Sequence, residues 1–171
     1  MNGKVCYLSA DHEYFVAGTI KENVIMGEKF DPVKFAKIMD LLEFDLSRFP
    51  AGEQMEILPN TENISIDEKK KLLLARVLYQ DGDIYCLDEC FDNWRPEMAE
   101  RIFHRIVNTL MKDKTIIYST LQNKLIQRAD TVLYFSNGEI QQQGSYIELL
   151  CDYKKEFFRV MIGRRARNWR R

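Results

Sequence analysis

Apolar positions fall first into a short run, then into helical stripes. Lys4–Ser9 (KVCYLS) predicts a short strand, and Val16–Gly27 (VAGTIKENVIMG) a loop in which Thr19 caps a short helix ending at Gly27. Asp31-Pro32 is a helix cap followed by a first-turn proline. Behind it Val33, Phe35, Ile38, Met39, Leu41 and Leu42 recur at helical spacing up to about Phe44. Pro50-Ala51-Gly52 and Pro59-Asn60 mark a polar connecting stretch. Ser65 followed by Glu68 is a capping box, and it opens a helix from Ile66 to about Tyr79 whose apolar side is Leu72, Leu73, Ala75, Val77 and Leu78.

The second half changes period. After the turn Asp81-Gly82-Asp83, Ile84–Leu87 is a continuous apolar run that stops at Asp88-Glu89. A run without alternation predicts a strand covered on both faces, as in a parallel sheet. Pro96 opens a helix to about Met111, Lys114–Thr120 reads as a second strand of the buried type, Asn123–Ala129 as a short helix, and Thr131–Phe135 as a third strand. The alternation of strands with helices makes the fold class α/β. Asn137-Gly138 is a tight turn into the polar strand Glu139–Gln143, and Tyr146–Ile162 reads as a closing amphipathic helix.

The 171 residues hold 25 basic and 26 acidic side chains, a formal charge of −1, and 46% are hydrophobic, enough for one packed domain. Five arginines lie among the last eight residues (Arg164, Arg165, Arg167, Arg170 and Arg171), which leaves residues 1–163 with a balance of −6. An acidic body with a cationic end predicts that the end docks on an acidic or phosphate-bearing partner, with Trp169 as an apolar anchor. No apolar run approaches the roughly 18 residues of a membrane span, and the first residues carry no targeting pattern. Cys6, Cys86, Cys90 and Cys151 are too scattered for a disulfide framework, which predicts an intracellular, reducing compartment. Cys86 and Cys90 flank an acidic pair without a second Cys or His pair at zinc spacing, His12 and His104 being the only histidines, so no metal site is expected.

In an α/β chain, an apolar strand ending in Asp-Glu is what a nucleotide hydrolase sets beside its phosphates. The first carboxylate binds the Mg²⁺ shell and the second polarises the attacking water. Lys4–Gly27, Ile64–Tyr79 (ISIDEKKKLLLARVLY), Asp83–Phe91 (DIYCLDECF) and Asp130–Leu149 (DTVLYFSNGEIQQQGSYIEL) surround that pair in order, and together they resemble the nucleotide-binding domain of ABC transporters. The wording TIKENVIMG is most similar to the C branch, and the resemblance runs from about Gly3 to Leu150. It implies an incomplete P-loop NTPase core, ABC ATPase-like, with a mostly parallel sheet and a helical subdomain at about residues 28–80. The whole of 1–163 is then one unit, and 164–171 a basic tail.

The departures from the family pattern shape the functional expectation. The P-loop, whose amides and Lys cradle the β and γ phosphates, precedes the strand that corresponds to Lys4–Ser9, and no GxxxxGK[ST] occurs in these residues. By the resemblance, the Q-loop glutamine falls on Ala10 and the signature LSGGQ on Ile64-Ser65-Ile66-Asp67-Glu68. Glu68 would bring negative charge towards a polyphosphate. The D-loop aspartate falls on Arg95, and the switch histidine on Leu121, which has no proton to exchange. Asp88 and Glu89 alone keep the family's residues, yet a base positions water against a phosphate and nothing in these residues holds one. They are therefore read as vestigial, and Ser65 as a helix cap rather than a contact to a nucleotide.

The expected function is a pseudo-ATPase, a structural or scaffolding subunit that binds other protein subunits of a larger complex and needs no cofactor. The alternative is a nucleotide-binding half-domain of a transporter that borrows a P-loop from another chain and uses ATP and Mg²⁺. An aberrant gene model lacking its first exon is a third reading, weakened by losses at five separate positions. The sequence leaves cytosolic, mitochondrial and axonemal assemblies open, including a place peripheral to a membrane complex. By the resemblance, the missing P-loop strand lies between the strands Lys114–Thr120 and Thr131–Phe135, which should then receive a partner's strand, the alternative being that they pair directly.

Overall fold

The computed structural model describes residues 3–9, 14–58, 60–151, 156, 157, 160 and 161. Ala10 and the cationic end with Arg164, Arg165, Arg167, Trp169, Arg170 and Arg171 lie outside the described residues, as do Pro59 and Ile162. The chain divides into two compact units, Met1–Thr120 and Leu121–Arg171.

The first unit is built on a parallel sheet in the order β1-β4-β5: β1 (Val5–Leu8), β4 (Ile84–Asp88) and β5 (Thr115–Ser119). Between β1 and β4 run β2 (Gly18–Thr19), α1 (Ile20–Ile25), α2 (Pro32–Leu41), β3 (Glu56–Ile57) and α3 (Ile66–Gln80), and α4 (Pro96–Thr109) connects β4 to β5. A parallel sheet joined through helices is the expected α/β architecture.

Local chemistry starts α1, α2 and α3 where the sequence places them. Thr19 and Glu22 form a reciprocal capping box on α1, the Asp31 carboxylate accepts from the amides of Val33 and Lys34 on α2, and Ser65 and Glu68 form a second box on α3. These devices satisfy first-turn N–H groups that no preceding turn can reach. Helix α2 stops at Leu41, short of Phe44, because Glu43 turns left-handed with φ 53°.

Two expectations need correction. The strands of the parallel sheet are covered on one face, not two: Cys6, Leu8, Tyr85 and Leu87 are buried, whereas Val5, Tyr7 and Ile117 on the other face are exposed. The α3 and α4 side chains pack on the first face, Phe103 of α4 lying 5.0 Å from Tyr118 by ring centroids. Helix α3, in turn, is buried more widely than one stripe. Leu74 and Tyr79 join its apolar side, since β1, α1 and α2 all pack against it. The Tyr79 hydroxyl accepts from the Asp31 amide at 2.7 Å and donates to the Lys29 carbonyl at 2.8 Å, which fixes the entry to α2. The polar stretch after α2 also holds structure that its composition did not signal: β3 pairs antiparallel with β2.

Glu43 ties α2, α3 and α4 together. Arg101 grips its carboxylate through Nε at 2.6 Å and Nη2 at 2.8 Å, and the Lys71 ammonium donates to its carbonyl at 2.8 Å. The Arg101 hydrogen bond holds the Glu43 carboxyl below its ordinary 4.5, against a smaller opposing effect of burial. For Glu68, burial pushes upward but the Ser65 hydroxyl and amide, with Arg48, outweigh it and the carboxyl also lies low. A depressed folded-state value means that stability is fully present above the unfolded value and is lost as pH falls through the folded one. Stability should therefore drop as pH falls below 4.5. Glu43→Gln should cost about 0.5–1 kcal/mol at neutral pH and flatten the acid limb, read by urea midpoints across pH. An acid limb unchanged by Glu43→Gln would refute this assignment.

The second unit holds α5 (Asn123–Ile126), the antiparallel hairpin β6 (Val132–Ser136) and β7 (Glu139–Gly144), and α6 (Tyr146–Cys151). Asn137 and Gly138 both take positive φ, 53° and 80°, as a two-residue hairpin turn requires. One hairpin face packs Val132 and Tyr134 against Leu149, Phe157 and Met161. The two strands expected to flank a missing neighbour thus belong to separate sheets, β5 bonding β4 and β6 bonding β7.

Candidate functional site

The corner that follows β4 carries the two acids of the strand end. Parallel pairing sets Asp88 beside Ser119 at the end of β5. The Ser119 hydroxyl donates to Asp88 Oδ1 at 2.5 Å and accepts from the Glu89 amide at 2.9 Å. Glu89 sits in the left-handed region with φ 47°, and its residue surface is exposed. One residue beyond β5, the Thr120 hydroxyl donates to Asp92 Oδ1. Beneath the corner, Phe91 is buried edge-on against Trp94 and Phe103, with ring centroids 5.4 and 5.6 Å away. Arg95 is exposed and stands at the cap of α4 without a capping hydrogen bond from its side chain, as an acceptor-free guanidinium must.

The second candidate segment is the start of α3. The Ser65 hydroxyl donates to Glu68 Oε2 at 2.7 Å and accepts from the Glu68 amide at 3.3 Å, so it is committed to the helix. Arg48 pairs with the same carboxylate through Oε1 at 3.1 Å. Ile66 and Asp67 lie in the first turn with Ile66 65% exposed. Leu121, 58% exposed, opens the second unit.

Among the described residues no group of three or more His, Cys, Asp or Glu gathers in a metal-binding arrangement. Cys90 keeps part of its surface in water, yet burial of its sulfur pushes the thiol well above its ordinary 9.0 and keeps it protonated. Among the described residues no helix is long and apolar enough to cross a membrane.

Sequence reasoning located Asp88, Glu89 and Ser65 on the elements where they stand but missed the residues that hold them. In the sequence Ser119 and Thr120 are simply the end of the predicted strand Lys114–Thr120. The usable signal was a pair of hydroxyls at the end of the strand neighbouring Asp88. Asn23 and Arg76 were likewise passed over. Asn23, 1% exposed, accepts from the Val16 amide and from Arg76, while Arg76 also donates to the carbonyls of Asn23 and Tyr14 at 2.8 Å each. They pin the stretch that precedes α1 onto α3.

No family model matches the chain. It is 31% identical over 159 residues to ABC transporter C family member 3 of Dictyostelium discoideum, an alignment that spans 92% of this chain and 11% of the relative. Against ABC transporter C family member 9 of Arabidopsis thaliana it is 30% identical over 166 residues, 95% of the chain and 11% of the relative. Against ABC transporter C family member 13 of Oryza sativa subsp. japonica it is 34% identical over 136 residues, 78% of the chain and 9% of the relative. The chain spans about a tenth of the length of the curated relatives it matches.

Proposed function

We propose, for a chain that belongs to the ABC transporter C family as a segment related to its nucleotide-binding domain, a non-catalytic role in which the fold serves as a structural subunit of a larger assembly. The observation that carries this reading is the commitment of Ser65 and Asp88, one at each candidate segment, to intramolecular bonds. Ser65 caps α3 through Glu68, and Asp88 accepts from Ser119. A catalyst of phosphoryl transfer works by positioning and by neutralising charge on the phosphates. These 171 residues contain no GxxxxGK[ST] segment. The first turn of α3 offers Ile66, Asp67 and Glu68 where charge would have to be neutralised.

The working part is then the surface, and the partners are other protein chains. The cationic run with Arg164, Arg165, Arg167, Trp169, Arg170 and Arg171 fits a partner bearing carboxylates or phosphates, through contacts that weaken with salt. Kinship to transporters keeps the second reading in view: a nucleotide-binding half that couples ATP to transport, with the phosphate loop supplied by residues other than these 171.

The test is Mg-ATP turnover by the purified chain, beside native co-purification of the full chain and of a variant lacking residues 163–171. The expected results are no turnover above that of Glu89→Gln, and partners that are lost with the deletion or at high salt. Turnover abolished by Glu89→Gln would overturn the non-catalytic reading. Partners retained by the deletion with unchanged salt sensitivity would overturn the assignment of the cationic run.

A further inference from the structure

Two successive hydroxyls, at the end of β5 and just beyond it, meet two carboxylates, one ending β4 and one in the corner that follows. Ser119 bridges twice: its O–H goes to Asp88 Oδ1 at 2.5 Å, and its oxygen takes the Glu89 N–H at 2.9 Å. Thr120 donates to Asp92 Oδ1. The corner also closes on itself, the Asp92 amide donating to the Glu89 carbonyl at 3.1 Å and the Trp94 amide to the Phe91 carbonyl at 3.1 Å.

Glu89 has reason to leave this conformation. Its φ of 47° is a left-handed backbone that a residue with a Cβ adopts only when something holds it there. Its side chain is exposed, so packing does not supply the hold. The Ser119 hydroxyl grips both the residue before it and its own amide. Register makes this possible, since Asp88 and Ser119 are direct partners in the parallel pair β4–β5 and the two strand ends finish level.

We infer that Ser119 and Thr120 form a clasp that locks the 88–92 corner to the end of β5, with Ser119 fixing the left-handed backbone of Glu89. The corner is thereby a rigid part of the sheet rather than a loop free to rearrange around a ligand. Loss of the Ser119 hydroxyl leaves both a carboxylate oxygen and an amide in need of new partners, whereas loss of the Thr120 hydroxyl removes a bond to Asp92. Ser119 is a positioning residue in this scheme, acting on Glu89 through its amide. The clasp deepens the structural reading of Asp88 and Glu89 given above and rests on it.

The test compares Ser119→Thr with Ser119→Val in the full chain. The two side chains share a β-branched shape and differ in the hydroxyl, so β5 is perturbed equally and only the clasp is removed by valine. Amide hydrogen exchange at Glu89 should be about tenfold faster in Ser119→Val than in Ser119→Thr, with the amides of β1 equal in the two proteins. Equal exchange at Glu89 in the two variants would overturn the clasp. Adding Mg-ATP to the unaltered chain separates the two readings. Protection of the Glu89 amide by Mg-ATP would overturn the non-catalytic reading while the valine–threonine difference, if present, upholds the clasp.

Discussion

Phe91→Ala should lower the stability of the first unit by about 3–5 kcal/mol, the range for emptying a buried aromatic site. Phe91 is 1% exposed and stands between Glu89 and Asp92, the ring turned into the layer between sheet and helix. Its edge-on contacts with Trp94, at 90° between planes, and Phe103, at 87°, favour aromatic pairs beyond the area they bury. Phe103 continues the stack to Tyr118 on β5, so one ring couples the corner, α4 and the sheet. Domains of this size are stable by about 5–15 kcal/mol, so the loss takes a large share of the total. Urea unfolding is the measurement, and Phe91→Leu, which keeps most of the volume, should cost less than about 2 kcal/mol. A loss below about 1 kcal/mol for Phe91→Ala would show that the corner does not depend on this ring.

The second large effect is expected at Arg76. Its guanidinium donates through Nε to the Asn23 carbonyl at 2.8 Å and through Nη1 to the Tyr14 carbonyl at 2.8 Å, and lies 5.6 Å from the Phe15 ring centroid. Burial lowers its proton affinity, yet a guanidinium starts so high that it stays charged at neutral pH. Asn23 completes the arrangement, donating from Nδ2 to the carbonyls of Val16 at 2.9 Å and Thr19 at 3.1 Å. Arg76→Met keeps the length of the side chain and removes every donor, leaving two carbonyls without that partner at a cost of about 3 kcal/mol. Asn23→Leu should cost a similar amount, and the double variant less than the sum, because both remove the bond from Arg76 Nη2 to Asn23 Oδ1 at 3.3 Å. Urea midpoints of the three variants decide the matter. Additive losses would mean that Asn23 and Arg76 act separately.

Much of the secondary structure was legible in the chain because it is fixed by groups two to four residues apart. Thr19 with Glu22, Asp31 with Pro32, Ser65 with Glu68 and Asn137 with Gly138 each start or turn an element through contacts that no distant residue has to complete. The capping reading of Ser65 followed in the same way, since both partners lie in one turn of helix. The kinship was legible for a different reason: four ordered segments around Asp88 and Glu89 matched a family whose members align over most of the chain.

What the tertiary structure decided depends on register and on coverage, neither of which is written locally. The apolar run Ile84–Leu87 gives the same pattern whether one face or both are covered. Only the placement of α3 and α4 on one side leaves Val5, Tyr7 and Ile117 exposed. The pairing of β2 with β3 joins residues 18 and 57, with two helices between them, and neither two-residue strand has a pattern of its own. Ser119 meets Asp88, and Arg76 meets Asn23, across 31 and 53 residues. A hydroxyl or a guanidinium in sequence carries no mark of its partner, because the strand register and helix packing that bring the two together are properties of the folded chain.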